Sequence, residues 1–204
     1  MKILTFILGS IRTNSYLCVD TDTLKCVVVD PGCDGEGIYA KIAERGLDLE
    51  YILLTHGHFD HIMASGVLKE KTGAKIAVHA LDYELLCNPM LSYAMQFAGS
   101  NFTCSADTIL NDGDIVKSGN MNFKVIHTPG HTKGSCTFLT EGALFTGDTL
   151  FCDGVGRTDL YGGNDKVLKE SLKKLFNLKE DYKIYPGHGN FSKLSKEKNN
   201  FLFI

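Results

Sequence analysis

Apolar residues fall in short runs through the first half of the chain, at Lys2 to Leu8, Asn14 to Val19, Lys25 to Asp30, Tyr51 to Thr55 and Lys75 to His79. Runs of this length, rich in Val, Ile, Leu and aromatic residues and bounded by Gly, Asp or Asn, predict strands. Between them, Gly35 to Arg45 and His61 to Lys71 carry apolar positions at helical spacing, the second stopping at Thr72 and Gly73 as helices often do. The second half repeats the style. Strands are predicted over Phe123 to His127, Ser135 to Leu139, Ala143 to Thr146 and Lys183 to Tyr185, with a helix over Asp165 to Phe176. Strands alternating with helices predict an α/β fold. Leu81 to Ile109 breaks the regularity: it carries Tyr83, Leu85, Leu86, Met90, Tyr93, Met95, Phe97 and Phe102, but its period is indistinct and a proline and two asparagines interrupt it. A helical lid and an ordinary peripheral helix-and-loop fit it equally. The polar, basic stretch Lys193 to Asn200 is predicted as a solvated helix face.

Length and composition narrow the class. A chain of 204 residues, 44% of them hydrophobic, can bury one full core and is expected to be a single domain over residues 1–204. Its 21 basic and 24 acidic residues leave a formal charge of -3, which supplies no field for a polyanion, so nucleic acid is not an expected partner. No apolar stretch is long enough to span a bilayer, so no membrane association is expected, and the N-terminal run shows no small-residue cleavage site. The seven cysteines are odd in number and scattered, with no Cys-x-x-Cys pair. That suits neither a disulfide framework nor a zinc finger, and predicts small buried thiols in the cytoplasm. Cys33 and Cys152, which neighbour the motifs below, are read the same way.

The chemistry concentrates in Thr55-His56-Gly57-His58-Phe59-Asp60-His61, directly after an apolar strand. Three imidazoles and a carboxylate at the end of a buried strand are costly to desolvate without a counter-cation, so these residues are read as metal ligands. Gly57 lets the backbone turn so that His56 and His58 converge on one ion, while Asp60 and His61, at the start of the next helix, reach a second. An N-cap role for Asp60 is secondary. Three later strands each end in a Gly-containing turn that presents one ligand-type side chain: His131 after Pro129-Gly130, Asp148 after Gly147, and His188 after Pro186-Gly187. Open α/β sheets place their sites at such strand ends.

Thr-His-x-His-x-Asp-His, then an isolated His, Gly-Asp and Gly-His, resembles the motif series of the metallo-β-lactamase superfamily, from Asp30-Pro31-Gly32 to Pro186-Gly187-His188. Within it the chain looks most like the glyoxalase II (hydroxyacylglutathione hydrolase) group, because Asp148 occupies the place of the bridging carboxylate and Gly156-Arg157-Thr158-Asp159 matches the segment that follows. The resemblance implies a four-layer αββα sandwich with two divalent metal ions in a cleft at one edge. His56, His58 and His131 would hold the first ion, Asp60, His61 and His188 the second, and Asp148 would bridge them. Nitrogen and carboxylate donors without thiolate suit zinc, which is the expectation, and also iron or manganese. Asp30 is expected to hydrogen-bond the ligand loop, Arg157 and Asp159 to form an ion pair bracing the loop after Asp148, and His79 and His127 to be structural. The similarity is to a short form of the group, without its C-terminal helical domain that supplies basic residues for glutathione. Leu81 to Ile109 with Lys133 would then hold the thiol carrier, or the substrate is a different ester, lactone or thioester.

The activity this implies is hydrolysis of a small thioester of the hydroxyacylglutathione type, or a related ester, with Asp60 and Asp148 in catalytic roles. Thiolates, with an ordinary pKa of about 8.5, leave without a dedicated acid. A mononuclear iron persulfide dioxygenase is the first alternative, and a non-catalytic ligand-binding member the second. A β-lactamase is disfavoured because those enzymes lack the bridging carboxylate.

Overall fold

Successive residues of a strand point to opposite faces, and three apolar clusters in the computed structural model, which describes residues 1–201, show where those faces go. The first sheet contains β1 (Lys2–Leu8), β2 (Thr13–Val19), β3 (Lys25–Val29), β4 (Asp48–Leu53), β5 (Lys75–His79) and β6 (Thr108–Leu110), in that order. The second contains β7 (Ile115–Ser118), β8 (Met121–His127), β9 (Cys136–Thr140) and β10 (Ala143–Gly147). A small hairpin of β11 (Leu150–Phe151) and β12 (Gly154–Val155) follows, and β13 (Lys183–Pro186) and β14 (Ser192–Lys193) complete the second sheet in the order β14-β13-β10-β9-β8-β7.

In β2, Tyr16 and Cys18 face the second sheet, where they meet Phe123, Phe138 and Phe145, while Leu17 and Val19 face outward. β3 repeats the division, with Val27 and Val29 inward and Cys26 and Val28 outward. The outward face of the first sheet is covered by α1 (Gly35–Glu44), through Ile38 and Ile42, and by Leu68 from the segment after β4. The outer face of the second sheet, Ile126, Leu144 and Ile184, is covered by Leu168, Leu172 and Leu175 of the helix Asp165–Phe176. Helix, sheet, sheet and helix make the four-layer metallo-β-lactamase fold. Among the described residues no helix is long and apolar enough to cross a membrane.

Several local expectations change. The helix predicted over His61 to Lys71 is two pieces, α2 (Phe59–Ile62) and α3 (Ser65–Thr72), because the Ala64 N–H donates to Pro31 O (2.9 Å). The break lets α2 angle Asp60 and His61 independently of α3, which still ends at Gly73 in the left-handed region (φ 74°). Between Leu81 and Ile109 lie α4 (Tyr83–Cys87), α5 (Ala94–Ala98) and part of β6. These helices are too short to show a period. The helix Asp165–Phe176 is α6, and the Lys193 to Asn200 stretch forms β14's end and α7 (Leu194–Asn200). α7 is not simply a solvated face: Leu194 is buried, and Glu197 is fully buried, accepting from Ser192 Oγ and from Asp153 N (2.9 Å).

Candidate metal centre

Four strand ends deliver the predicted residues to one place between the sheets. His56, His58, Asp60 and His61 follow β4, His131 follows β8, Asp148 follows β10 and His188 follows β13. Among these seven residues, three groups could each hold a cation: His56 with His58 and His131, His56 with His61 and Asp148, and Asp60 with His61 and His188. Within each group the donor atoms lie within 4.8 Å of one another. His58 Nδ1 is 2.9 Å from His131 Nε2. Asp60 Oδ2 is 3.2 Å from His61 Nε2 and 3.3 Å from His188 Nε2. Asp148 reaches toward both sets, with Oδ1 3.4 Å from His61 Nε2 and Oδ2 3.6 Å from both His131 Nε2 and His188 Nε2. Ligands at ~2.1 Å around a tetrahedral ion are about 3.4 Å apart, so these spacings suit shared cations.

The hydrogen bonds behind the imidazoles fix which nitrogen faces the centre. Asp30 accepts from Thr55 N (2.7 Å) on Oδ1 and from Thr55 Oγ1 (2.6 Å) on Oδ2, which also lies 3.0 Å from His61 Nδ1. With its hydroxyl proton given to Asp30, Thr55 Oγ1 accepts from His56 Nδ1 (3.1 Å). His131 Nδ1 donates to Arg157 O (2.8 Å). The protons therefore sit on the outer nitrogens, and the Nε2 atoms of His56, His61 and His131 point inward. His56 Nε2, His61 Nε2 and Asp148 Oδ1 are buried without a hydrogen-bond partner. Most buried polar atoms are paired; His58 Nε2 and the hydroxyls of Ser65, Ser92 and Ser118 are also unpaired among the described residues, but His56, His61 and Asp148 converge in one candidate group, where a cation would satisfy all three.

The electrostatics agree. Burial, followed by the neighbouring imidazoles, holds His56 and His58 well below the ordinary histidine pKa, so they remain neutral donors. Burial also disfavours charge on His61, but Asp60, Asp148 and Asp30 overcome it and hold its pKa well above the ordinary value. His188 is likewise raised: burial opposes charge, and Asp60 and Asp148 outweigh it. The carboxylates thus draw positive charge to this point, which divalent cations would supply more strongly than protons.

The remaining residues singled out from the motifs fall nearby. The side chains of Arg157 and Asp159 form a two-pronged pair (2.7 Å and 2.7 Å), exposed at the cleft mouth. Lys133 is held by Tyr161 Oη (3.2 Å) and Glu84 (3.4 Å). His79 and His127 stack at 4.0 Å between ring centres, away from the cluster. Gly57 is needed for space rather than for a turn: it is not at positive φ, and a Cβ there would run into Leu85 and lie 3.2 Å from Asp82 O.

Three positioning groups carry little or no local sequence signal. Thr13 Oγ1 donates to Asp60 Oδ2 (2.8 Å). Asn14 ties the His188 loop to β2, donating from Nδ2 to Pro186 O (3.0 Å) and Gly189 O (2.9 Å). Asp82, fully buried, accepts from Gly57 N (2.9 Å), Thr132 Oγ1 (2.7 Å) and Gly134 N (2.6 Å), locking the His56 loop to the His131 loop. A buried Asn in a strand is the one hint available; the others depend on long-range contacts. Tyr93 and Phe97, from the irregular segment, join the cleft wall.

Fold and cluster together define a divalent-metal hydrolase. The family model described as "Metallo-beta-lactamase superfamily" matches residues 9–188, and the chain belongs to that family. It is 34% identical over 192 residues to hydroxyacylglutathione hydrolase GloC of Haemophilus influenzae, covering 90% of this chain and 89% of that protein. Among solved structures it is similar to the B3 metallo-β-lactamase BLEG-1, with TM-score 0.92, 33% identity and 97% of each chain covered. It is also similar to TTHA1623 in a di-iron-bound form, with TM-score 0.85, 32% identity, and 98% of this chain and 100% of that one covered.

Proposed function

We propose that this protein hydrolyses a small thioester or related ester at a dinuclear metal centre. The observation that carries it is Asp148, whose Oδ1 lies against His61 and whose Oδ2 lies between His131 and His188, so that one carboxylate reaches both sets of histidines. A carboxylate so placed suits one ion in each group, and the likeness to GloC supports a thioester as the bond cleaved. His56, His58 and His131 would hold one ion, Asp60, His61 and His188 the other, and Asp148 both. Two divalent cations, when bound, supply hydroxide at neutral pH and polarise a carbonyl.

The chain's own groups do the rest. Asp60, held by Thr13, orients the attacking oxygen as well as contributing a donor. Water adds to the carbonyl carbon, the carbon–sulfur bond breaks, and the products are a carboxylic acid and a thiol. No protein nucleophile is needed, and a thiolate leaves without a dedicated acid. The likeness to GloC supports hydroxyacylglutathiones as reference substrates, alongside esters of similar size. Zinc suits the donors, and the likeness to a di-iron protein puts iron beside it. Asp148→Ala should abolish cleavage across a panel of thioesters; turnover unchanged by it overturns the assignment.

A further inference from the structure

The cleft leading to the cluster, about 360 Å³, is the size of a small-ligand pocket. Its outer wall comes from Ile11, Phe59, Tyr93, Phe97 and Leu160. Phe97 is 65% exposed and Ile11 50%, so two large apolar side chains from separate elements face solvent at its mouth. Phe97 stacks on Phe59 (5.9 Å, 20°), the neighbour of Asp60, and lies 5.9 Å from Tyr93, whose ring abuts His58 at 5.6 Å. Tyr93 is pinned, its hydroxyl accepting from Tyr161 N (2.9 Å). An aromatic surface therefore runs unbroken from the histidines to the opening. Away from the histidine and aspartate cluster, charge is scarce. Outside that cluster Arg157 is the one cationic side chain among the described lining residues, and Asp159 already holds it on both prongs. Lys133 nearby is occupied by Glu84 and Tyr161.

A charged tripeptide thiol brings carboxylates that need cations, whereas an apolar ring would cover Phe97 and Ile11 and recover the free energy of their exposure. We infer that the Phe97–Tyr93–Phe59 wall is the specificity surface for the group borne on the scissile sulfur or oxygen, and that it selects an uncharged, ring-bearing carrier over glutathione. The inference rests on the hydrolase assignment.

Its test uses two thioesters with the same acyl group, S-lactoylglutathione and the S-benzyl thioester of lactate, on the metal-loaded protein, with calorimetric titration of two unreactive probes, N-benzyl lactamide and S-methylglutathione. The benzyl thioester should be preferred in kcat/KM by about tenfold or more, and Phe97→Ala should remove about tenfold of it, mainly through KM. The loss for the glutathione ester should be several-fold smaller. N-benzyl lactamide should bind more tightly than S-methylglutathione. Cleavage that prefers the glutathione ester, or equal losses on both in Phe97→Ala, overturns the inference while leaving the hydrolase intact. No cleavage of either, with N-benzyl lactamide still preferred, overturns the thioesterase reading and supports the apolar cleft; preference for S-methylglutathione overturns the cleft inference by itself.

Discussion

Asp30 Oδ2 lies 3.0 Å from His61 Nδ1, and both side chains are almost completely buried. The same carboxylate holds the Thr55 amide and hydroxyl, so one residue sets the orientation of His61 directly and of His56 through Thr55. Asp30 does this from a left-handed backbone position (φ 50°), which Asp and Asn tolerate better than other residues with a Cβ.

Asp30→Asn keeps the size and the backbone preference while removing the charge and one acceptor oxygen. With Thr55 N, Thr55 Oγ1 and His61 Nδ1 all needing an acceptor, the variant should lose about 10- to 100-fold in metal affinity. Metal content after dialysis against a graded chelator series checks it. Retention equal to the parent protein would show that Asp30 does not orient the donors.

The stacked pair of His79 and His127 makes stability depend on pH. Burial, then the neighbouring His127, lowers the His79 pKa from 6.5 to about 4. The unfolded chain therefore binds a proton at higher pH than the folded one, so stability falls as pH drops from 6.5 toward 4 and is restored as it rises. With solvent screening allowed for, the contribution is on the order of 1–3 kcal/mol. His79→Asn, which keeps an acceptor for the Leu81 N–H at the place of Nδ1 but does not titrate, should flatten the change in urea midpoint between pH 7 and pH 5 relative to the parent. Identical slopes in the two proteins would be contrary to this account.

The ligand cluster was legible because chemistry forces density: four donor residues in six positions after an apolar strand have no inexpensive explanation without a cation. The alternation of strands and helices was legible too, from short apolar runs such as β3, whereas the four layers followed only from the resemblance to the metallo-β-lactamase superfamily. What escaped depends on the fold. Thr13 and Asp60 are 47 residues apart, and Asp82 and Gly134 are 52 apart, so nothing local marks either bond. The five-residue helices α4 and α5 are too short for a period to develop, which is why the segment carrying Tyr93 and Phe97 read as ambiguous. β6, β7 and the β11–β12 hairpin, at two to four residues each, were hidden for the same reason.

The central claim is a two-ion hydrolytic centre, and metal analysis of the purified protein with thioester turnover and oxygen uptake followed in parallel tests it most directly. Close to two metal equivalents per chain, with thioester cleavage and no oxygen consumption, is the predicted result. A single iron per chain, with oxygen consumed in the presence of glutathione persulfide and no thioester cleaved, would contradict it and make the protein a persulfide-oxidising enzyme.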